Sequence, residues 1–253
     1  MSISSRYLDL LKVCLTRTMD LKDDELSRRV EGLDWPLTAE TMISYKRLDN
    51  LRELVSKVVV ENIEGDLIET GVWRGGASIF MKAILYTLES KKKIYACDSF
   101  QGFPKSTNVL DDEFDFLEDT KFSVSVDDVK RNFAKYDLLD DNVVFVKGWF
   151  AETLPTLQGT FSLIRLDGDL FSSTNDALRT LYPKLVDGGF CIIDDYSLSP
   201  CKAAVDSYRA LRNINEPMVT IDHSAVYWRK NERDFRNVKD SLGISCTAKS
   251  RSF

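Results

Sequence analysis

Apolar and polar positions follow two different patterns along the chain, and the change falls near residue 65. Before that point, apolar residues recur at helical spacing, as in Tyr7, Leu8, Leu11 and again in Leu48, Leu51, Leu54, Val55, Val58. After it, apolar runs of strand length alternate with amphipathic segments of helix length, which is typical of a parallel sheet covered by helices. The pattern predicts a helical N-terminal appendage followed by an α/β domain.

The elements of the α/β domain can be placed one by one. Seven strands are predicted, over residues 66–70, 93–98, 142–147, 162–167, 190–194, 218–222 and 225–230. Four helices are predicted, over residues 77–89, 126–136, 173–185 and 201–212. Ser125 followed by Asp128 is a capping box for the second helix, and we expect Gly188 and Gly189 to end the third.

The same pattern divides the chain into an appendage over residues 1–62, a ligand-binding domain over 63–230 and a tail over 231–253. Residues 100–124 form a long connection in which acidic side chains alternate with Phe114, Phe116 and Leu117. Connections of this length are commonly functional lids, so we expect this one to cover the site. The charged tail is expected to be mobile or to pack on a partner subunit.

A glycine-rich turn follows the first strand and opens a helix, in the sequence Glu69-Thr70-Gly71-Val-Trp73-Arg-Gly-Gly76. Glycines there let a backbone approach a ligand closely. A dinucleotide fingerprint would require glycine where Trp73 stands, and a phosphate-binding loop would require lysine after Gly76. The turn therefore favours a nucleoside without a pyrophosphate, and Glu69 suits a positively charged ligand such as the sulfonium of S-adenosylmethionine. The alternative is a tight turn without a ligand.

Two further strand ends carry side chains that suit an adenosine. Asp98 ends the second strand, where a carboxylate can accept ribose hydroxyls. Gly148-Trp149-Phe150 follows the third strand, and its aromatic edges could flank an adenine ring, or the tryptophan could be a core residue.

Four aspartates follow the fourth and fifth strands: Asp167, Asp169, Asp194 and Asp195. Because the carboxyl ends of neighbouring parallel strands meet at one edge of a sheet, we expect these carboxylates to lie together. Like charges at such distances repel unless a cation neutralises them. Oxygen ligands without paired histidine or cysteine indicate magnesium, manganese or calcium. Turn formation and helix capping would explain any one of the four, but explain the cluster poorly.

Composition narrows the class of protein further. The 34 basic and 40 acidic side chains give a net charge of −6, which disfavours nucleic acid as a partner. The five cysteines form no close pairs, so neither disulfides nor a zinc site are expected. No apolar run is long enough to span a membrane, and residues 1–6 lack a signal-peptide pattern, so we expect a cytoplasmic protein. The single histidine, His223, is interpreted as a strand-edge residue, with a substrate contact as the less favoured reading.

These segments together resemble the macrocin O-methyltransferase family, whose members methylate deoxysugars of macrolide and aminocoumarin antibiotics. The likeness spans about residues 35–230 and is carried by these strings: Ile68-Glu-Thr-Gly-Val-Trp-Arg-Gly-Gly76, Asp98-Ser-Phe-Gln-Gly-Phe-Pro104, Gly148-Trp-Phe150, Arg165-Leu-Asp-Gly-Asp-Leu170, Leu181-Tyr-Pro-Lys-Leu185, Gly188-Gly189, Asp194-Asp-Tyr196 and Tyr227-Trp-Arg229. The chain departs from the family pattern at Phe171-Ser172, where relatives commonly have tyrosine and glutamate, which predicts a different acceptor or a different pose of the acceptor.

The resemblance implies a Rossmann-like class I methyltransferase fold, in which a mostly parallel seven-stranded sheet carries helices on both faces. It implies S-adenosylmethionine as methyl donor, with a cofactor-binding set of Met42, Tyr45, Glu69, Thr70, Gly71, Trp73, Asp98, Ser99, Ser125, Gly148, Trp149, Phe150 and Asp167. It also implies a magnesium ion held by Asp167, Asp194 and Asp195, and Asp169 as general base. Members are commonly homo-oligomers whose N-terminal helices help to close the site, and Thr41 is a further candidate there.

The resulting hypothesis is a magnesium-dependent O-methyltransferase that acts on a sugar hydroxyl of a macrolide, aminocoumarin or similar glycoside. Two neighbouring acceptor hydroxyls would chelate the cation, which acidifies one of them, and Asp169 would take its proton. One alternative is a magnesium-dependent methyltransferase of catechols or other phenols. A nicotinamide-dependent oxidoreductase and a binding protein without turnover are further alternatives.

Overall fold

A single sheet forms the centre of the protein in the computed structural model, which describes residues 2–105, 108–112 and 120–231. Its strands are β1 (Asp66–Thr70), β2 (Ile94–Asp98), β3 (Val143–Lys147), β4 (Phe161–Leu166), β5 (Leu185–Ile193), β6 (Val219–Thr220) and β7 (Val226–Arg229). Their order is β3-β2-β1-β4-β5-β7-β6. β1 to β5 run parallel, and β7 is antiparallel to both of its neighbours. The predicted fold class is confirmed.

Eight α-helices surround the sheet within the described residues. They are α1 (Ile3–Thr16), α2 (Asp23–Glu31), α3 (Tyr45–Val60), α4 (Gly76–Thr87), α5 (Val126–Lys135), α6 (Phe150–Thr153), α7 (Phe171–Leu181) and α8 (Ser199–Arg212). Short 3-10 helices cover Val109–Asp111, Thr120–Phe122, Leu154–Thr156 and Tyr182–Lys184. The Ser125 hydroxyl accepts a hydrogen bond from the amide of Asp128, which is the predicted start of α5.

The sheet separates two apolar cores, because side chains along each strand alternate between its faces. Leu67 and Leu163 pack in one core with α3, α4 and α5. Ile68 and Ile164, the next residues along, pack in the other core with α7 and α8. The adjacent apolar pairs Leu67-Ile68 and Leu163-Ile164 send one side chain to each core, which is why β1 and β4 could be located from the sequence.

The third predicted helix was placed wrongly at its end. It was expected to continue to residue 185 and to end at Gly188 and Gly189, but α7 ends at Leu181 and a 3-10 turn follows. Pro183 has no amide hydrogen to continue the helix, and it is the signal that the prediction overlooked. Both glycines instead lie within β5, which begins at Leu185 rather than at residue 190, and the Gly188 amide bonds the Lys230 carbonyl at 2.7 Å.

The N-terminal helices share a core with the sheet. Five side chains of α3 are buried at its inner face: Leu48, Leu51, Leu54, Val55 and Val58. They belong to the same apolar core as Leu67 of β1 and the buried face of α4. Burying each such side chain contributes roughly 2 kcal/mol. The appendage is thereby fixed against one face of the sheet.

Membrane contact, the thiols, the predicted lid and the tail were also subjects of expectations from the sequence. Among the helices of the described residues, none has the length and apolar character required to cross a bilayer. Cys14, Cys97, Cys191 and Cys201 are free thiols, and Cys246 lies outside the described residues. Phe114, Phe116 and Leu117 of the predicted lid also lie outside them, as does the tail beyond Asn231.

Candidate active site

A cavity of about 530 Å³ opens at the carboxyl ends of the parallel strands. This is the edge at which open α/β sheets bind ligands. The turns after β1, β2, β3, β4 and β5 all contribute to its wall, as does the segment before α3. The cavity is large enough for a nucleoside together with part of a second molecule.

The glycine-rich turn between β1 and α4 is shaped by close contacts. Gly71 has φ = +85°, and a Cβ on it would lie 1.7 Å from the carbonyl oxygen of Asp167. A Cβ on Gly76 would lie 2.5 Å from the carbonyl oxygen of Glu40. The two glycines thus allow this turn to pack against β4 and against the N-terminal appendage, while Gly71 and Gly76 also line the cavity.

The carboxylate of Asp98 organises the end of the cavity that the turns after β1 and β2 form. Its Oδ2 accepts the amide of Val72 at 2.7 Å, and its Oδ1 accepts the amide of Phe100 at 2.7 Å. Desolvation raises the pKa of Asp98 above its ordinary value, although these backbone hydrogen bonds oppose the shift. Its Oδ2 also accepts the amide of Trp73 and its Oδ1 accepts the hydroxyl of Ser99, each at 3.4 Å, so a ligand hydroxyl would replace one of these two longer hydrogen bonds.

Glu69 has a partner that the sequence reading did not supply. Its two oxygens contact the guanidinium of Arg165 and the hydroxyl of Ser78, and all three side chains are buried. Burial, opposed by Arg165, raises the pKa of Glu69 to about 7. The charge of this carboxylate is therefore balanced largely inside the protein.

Arg165 joins the glycine-rich turn to the aspartates. Besides Glu69, its guanidinium lies 2.8 Å from Asp167 Oδ2 and 2.5 Å from Asp194 Oδ1. Its side chain is only 2% exposed, so a single buried cation faces three carboxylates. Sequence reasoning did not assign Arg165 to the site, although a charged residue within the fully buried strand β4 was the signal.

The aspartates converge as predicted. Carboxylate oxygens of Asp167, Asp194 and Asp195 lie within 4.8 Å of one another. Asp169 lines the same cavity, and its amide donates to Asp195 Oδ2 at 3.3 Å. Asp169 has φ = +53°, a conformation that is uncommon for a residue with a side chain and that occurs often at functional sites.

Crowding of negative charge changes the protonation of this cluster. Desolvation, reinforced by the carboxylates of Asp167 and Asp194, raises the pKa of Asp169 to about 8. Desolvation and the neighbouring carboxylates also raise the pKa of Asp195 well above its usual range. For Asp167, desolvation raises the pKa although Arg165 opposes it. The positive charges of Arg165 and of a second arginine, Arg47, do not balance the negative charges of these carboxylates.

Arg47 brings the N-terminal appendage into the site. This residue of α3 contacts Asp194 Oδ2, and its Nε donates to Asp222 Oδ2 at 2.8 Å. Arg47 lies 147 positions before Asp194 in the sequence, and no local pattern indicated that it belongs to the site.

The donor set fits a hard divalent cation. Three carboxylates from two adjacent strand ends offer oxygen ligands within reach of one ion, and neither histidine nor cysteine belongs to the group. Desolvation is the main cause of the raised pKa values of Asp167 and Asp195, and a cation there would offset the neighbouring carboxylate charges that add to it. The residues present therefore suit magnesium or a similar ion.

Most of the predicted donor-binding residues line the cavity: Met42, Glu69, Gly71, Trp73, Asp98, Ser99, Gly148, Trp149, Phe150 and Asp167, as do Thr41 and Asp169. Three do not. Thr70 is buried in β1, Ser125 caps α5, and the hydroxyl of Tyr45 lies 2.6 Å from that of Thr18. Helix capping and packing within the appendage account for Ser125 and Tyr45.

An aromatic wall of the cavity was also missed. Phe122 packs edge-on against Trp35 and Phe103, with ring centroids 5.2 and 4.9 Å apart. The indole nitrogen of Trp73 donates to the carbonyl of Lys121 at 2.9 Å, so the glycine-rich turn holds this wall in place. Trp35 belongs to the appendage and the two phenylalanines to the connection after β2, which explains why only the folded chain brings them together.

The sheet and its ligand edge define a class I methyltransferase. Five parallel strands are followed by an antiparallel pair, with a glycine-rich turn after β1 and an acidic residue at the end of β2. The solved structure of the O-methyltransferase NovP superposes with a TM-score of 0.87 at 44% identity, covering 90% of this chain and 100% of that one. The calicheamicin methyltransferase CalS11 shares the fold at a TM-score of 0.61 and 19% identity, covering 90% of this chain and 93% of that one.

The chain belongs to the macrocin-O-methyltransferase (TylF) family, whose model matches residues 16–230. It is 43% identical to demethyldecarbamoylnovobiocin O-methyltransferase of Streptomyces niveus, over 90% of this chain and 95% of the relative. It is 41% identical to 8-demethyl-8-(2,3-dimethoxy-alpha-L-rhamnosyl)-tetracenomycin-C 4'-O-methyltransferase of Streptomyces olivaceus, over 92% and 95%. The protein is an S-adenosylmethionine-dependent O-methyltransferase, which removes the oxidoreductase alternative.

Proposed function

We propose that this enzyme methylates a sugar hydroxyl of a natural-product glycoside and requires a divalent cation, magnesium by the chemistry of its ligands. The observation that carries the proposal is the convergence of Asp167, Asp194 and Asp195 within one cavity that the glycine-rich turn also lines. A methyl donor at the turn and an acceptor oxygen at the carboxylates would then be neighbours.

The donor half of the cavity lies at the ends of β1, β2 and β3. Ribose hydroxyls could replace the two hydrogen bonds of 3.4 Å on Asp98, and Trp149 and Phe150 offer apolar faces for an adenine ring. Thr41 and Met42 close this half from the appendage. These side chains bind and orient the donor, and the surrounding wall excludes water from it.

The carboxylate half would hold the cation through Asp167, Asp194 and Asp195. When bound, a divalent cation supplies Lewis-acid polarisation of an acceptor hydroxyl. Asp169 stands beside the three ligands and accepts the proton of that hydroxyl. Burial disfavours the charged form of Asp169 and so strengthens its carboxylate as a base relative to an exposed aspartate.

The sugar acceptor is supported by the relatives. The tetracenomycin enzyme is named for a rhamnosyl group, and another relative, 43% identical over 80% of this chain, is mycinamicin III 3''-O-methyltransferase of Micromonospora griseorubida. At the departure from the family pattern, the Ser172 hydroxyl donates to Asp111 at 2.8 Å, so it serves the protein rather than an acceptor.

The acceptor and the cation are tested together in one assay. Untagged enzyme is incubated with S-adenosylmethionine and 8-demethyl-8-(2,3-dimethoxy-α-L-rhamnosyl)-tetracenomycin C, and in parallel with catechol. Mass spectrometry locates any added methyl group. We expect methylation of the sugar with Mg²⁺, loss of turnover in EDTA and recovery when Mg²⁺ is restored. Methylation of catechol alone would support a phenol acceptor instead, and full activity in EDTA would refute the metal role.

Replacing Asp167 with alanine tests the ligand set directly. We expect metal-dependent turnover to disappear, because one of three oxygen ligands is lost, while binding of S-adenosylhomocysteine measured by calorimetry is largely retained. Asp141→Ala is the matched control, since Asp141 is exposed and remote from the cavity. Wild-type turnover in the Asp167→Ala variant would contradict the assignment.

A further inference from the structure

His223 lies at the carboxylate end of the cavity, in the turn between β6 and β7. Along the sheet, the predicted donor half occupies β3, β2 and β1, the aspartates occupy β4 and β5, and β7 and β6 follow. The turn that carries His223 is therefore on the far side of the carboxylates from the donor. An acceptor whose hydroxyl lies at the carboxylates extends toward this turn.

The turn is held rigidly by the residue before the histidine. Asp222 Oδ1 accepts the amides of Ser224 and Ala225, each at 2.9 Å. Its Oδ2 accepts the hydroxyl of Ser44 at 2.5 Å and Nε of Arg47 at 2.8 Å. With four donors on one carboxylate, the backbone of this turn is fixed relative to the appendage and to the sheet.

The residue after the histidine is tied to the carboxylate cluster. The hydroxyl of Ser224 lies 3.1 Å from the carbonyl oxygen of Asp194 and 2.8 Å from the hydroxyl of Ser197. The imidazole is thus carried between two anchored residues, one bound to Arg47 and the other bound to a predicted metal ligand. These contacts fix the backbone position of His223 and leave its imidazole without a hydrogen bond to them.

The polar groups around the acceptor end differ in how far they are already engaged. The hydroxyls of Ser172, Ser197 and Ser224 all have partners within the protein. Across residues 2–105, 108–112 and 120–231, no hydrogen bond or ion pair engages the imidazole of His223, which is exposed. A neutral imidazole presents one donor and one acceptor, which matches a sugar hydroxyl.

We propose that His223 is an acceptor-binding residue that hydrogen-bonds a sugar hydroxyl or ring substituent beside the methylated position. The proposal rests on the proposed function, because it requires a sugar acceptor at the carboxylates. His223 orients the acceptor and does not take the reacting proton, which belongs to Asp169. Asp222 and Ser224 position His223 and do not touch the acceptor.

Steady-state kinetics with the rhamnosyl tetracenomycin named above test the assignment. In His223→Ala we expect KM for this acceptor to rise about tenfold, as one or two hydrogen bonds are lost, with kcat within about threefold of wild type. KM for S-adenosylmethionine should not change. His223→Gln, which keeps a donor and an acceptor, should recover part of the loss. Asn215→Ala, an exposed polar change outside the cavity, is the control.

A second readout uses the fact that the chain contains one histidine. In untagged protein the imidazole proton resonances therefore belong to His223 alone. They should shift when the rhamnosyl tetracenomycin is added to enzyme saturated with S-adenosylhomocysteine and Mg²⁺, and S-adenosylhomocysteine alone should leave them nearly unchanged. This measurement does not depend on the folding of a variant.

The outcomes separate the two proposals. Two results would overturn the role of His223 alone, provided that wild-type enzyme methylates the sugar. One is an unchanged acceptor KM in His223→Ala, and the other is imidazole resonances that do not shift when the acceptor is added. A fall in kcat at constant acceptor KM would also overturn it, because binding would then be intact. No sugar methylation by wild-type enzyme would overturn the proposed function, and the role of His223 with it.

Discussion

The two halves of the cavity handle buried carboxylates in opposite ways. At the ends of β1 and β2, Asp98 accepts hydrogen bonds from the backbone of the turns it joins, so it stabilises the empty protein. At the ends of β4 and β5, Asp167, Asp169 and Asp195 lie in one cluster, and desolvation raises their pKa values, reinforced in each case by the carboxylate of Asp194. The first arrangement is complete within the fold, whereas the second would be completed by the proposed cation.

The comparison shows how one sheet edge can serve two purposes. A carboxylate that is satisfied by backbone amides shapes a binding surface and gains little from further charge. A carboxylate cluster in excess of its arginines destabilises the fold at neutral pH, and that cost is recovered when a ligand cation binds. Stability and activity should therefore respond in opposite directions to mutations in the second half.

Among the predicted changes, Asp195→Asn should have the largest effect, and this effect should be on catalytic activity. We expect turnover to fall about a thousandfold, because a charged ligand is lost from a site whose contribution is several kcal/mol. The melting temperature of metal-free enzyme should stay the same or rise, since the raised pKa of Asp195 favours a neutral group at this position, which asparagine supplies, and the asparagine amide can donate to Asp167. Scanning calorimetry in EDTA measures this. A clear loss of stability would show that Asp195 is structural.

Asp98→Asn should produce the contrasting result. In the variant, the side-chain NH₂ group would face a backbone N–H that donates to a carboxylate oxygen in the wild type. Because two donors cannot pair, we expect a loss of about 2 kcal/mol in the free energy of unfolding. Urea denaturation of both variants in parallel measures the difference. Affinity for S-adenosylhomocysteine should also fall. An unchanged midpoint for Asp98→Asn would break the distinction between the two halves.

The smallest expected effect is on the pH dependence of stability. Carboxyls with raised pKa values, such as Asp169 at about 8 and Glu69 at about 7, keep protons in the folded state that the unfolded chain has released. Their contribution to stability is full below about pH 4 and is lost as the pH rises toward 8. In EDTA, the melting temperature should therefore fall by a few degrees between pH 6 and pH 8.

The control for that measurement compares the slope of melting temperature against pH between wild type and a variant. Asp195→Asn should flatten the decline, because one of the mutually repelling carboxyls is gone, and Mg²⁺ should flatten it in wild-type enzyme by neutralising the cluster. Groups elsewhere titrate equally in both proteins and cancel in the comparison. Equal slopes with and without Asp195 would mean that the cluster does not hold excess protons.

Much of the fold and half of the site were readable from local pattern. Strands β1 and β4, the start of α5 at Ser125 and the aspartates at two strand ends each depend on residues within a few positions of one another. The predicted end of α7 is wrong, although Pro183 is a local signal that the helix ends before it. Parallel strand pairing then places the aspartates at one edge without further information.

The rest of the site depends on contacts between distant parts of the chain. Arg47 meets Asp194 and Asp222 across 147 and 175 positions, and Arg165 meets Glu69 across 96. Spacing cannot reveal such pairs, because each arginine is compatible with many surroundings until the helices pack on the sheet. Which carboxylates are neutralised, which are left in excess, and which side chain faces the acceptor all follow from that packing.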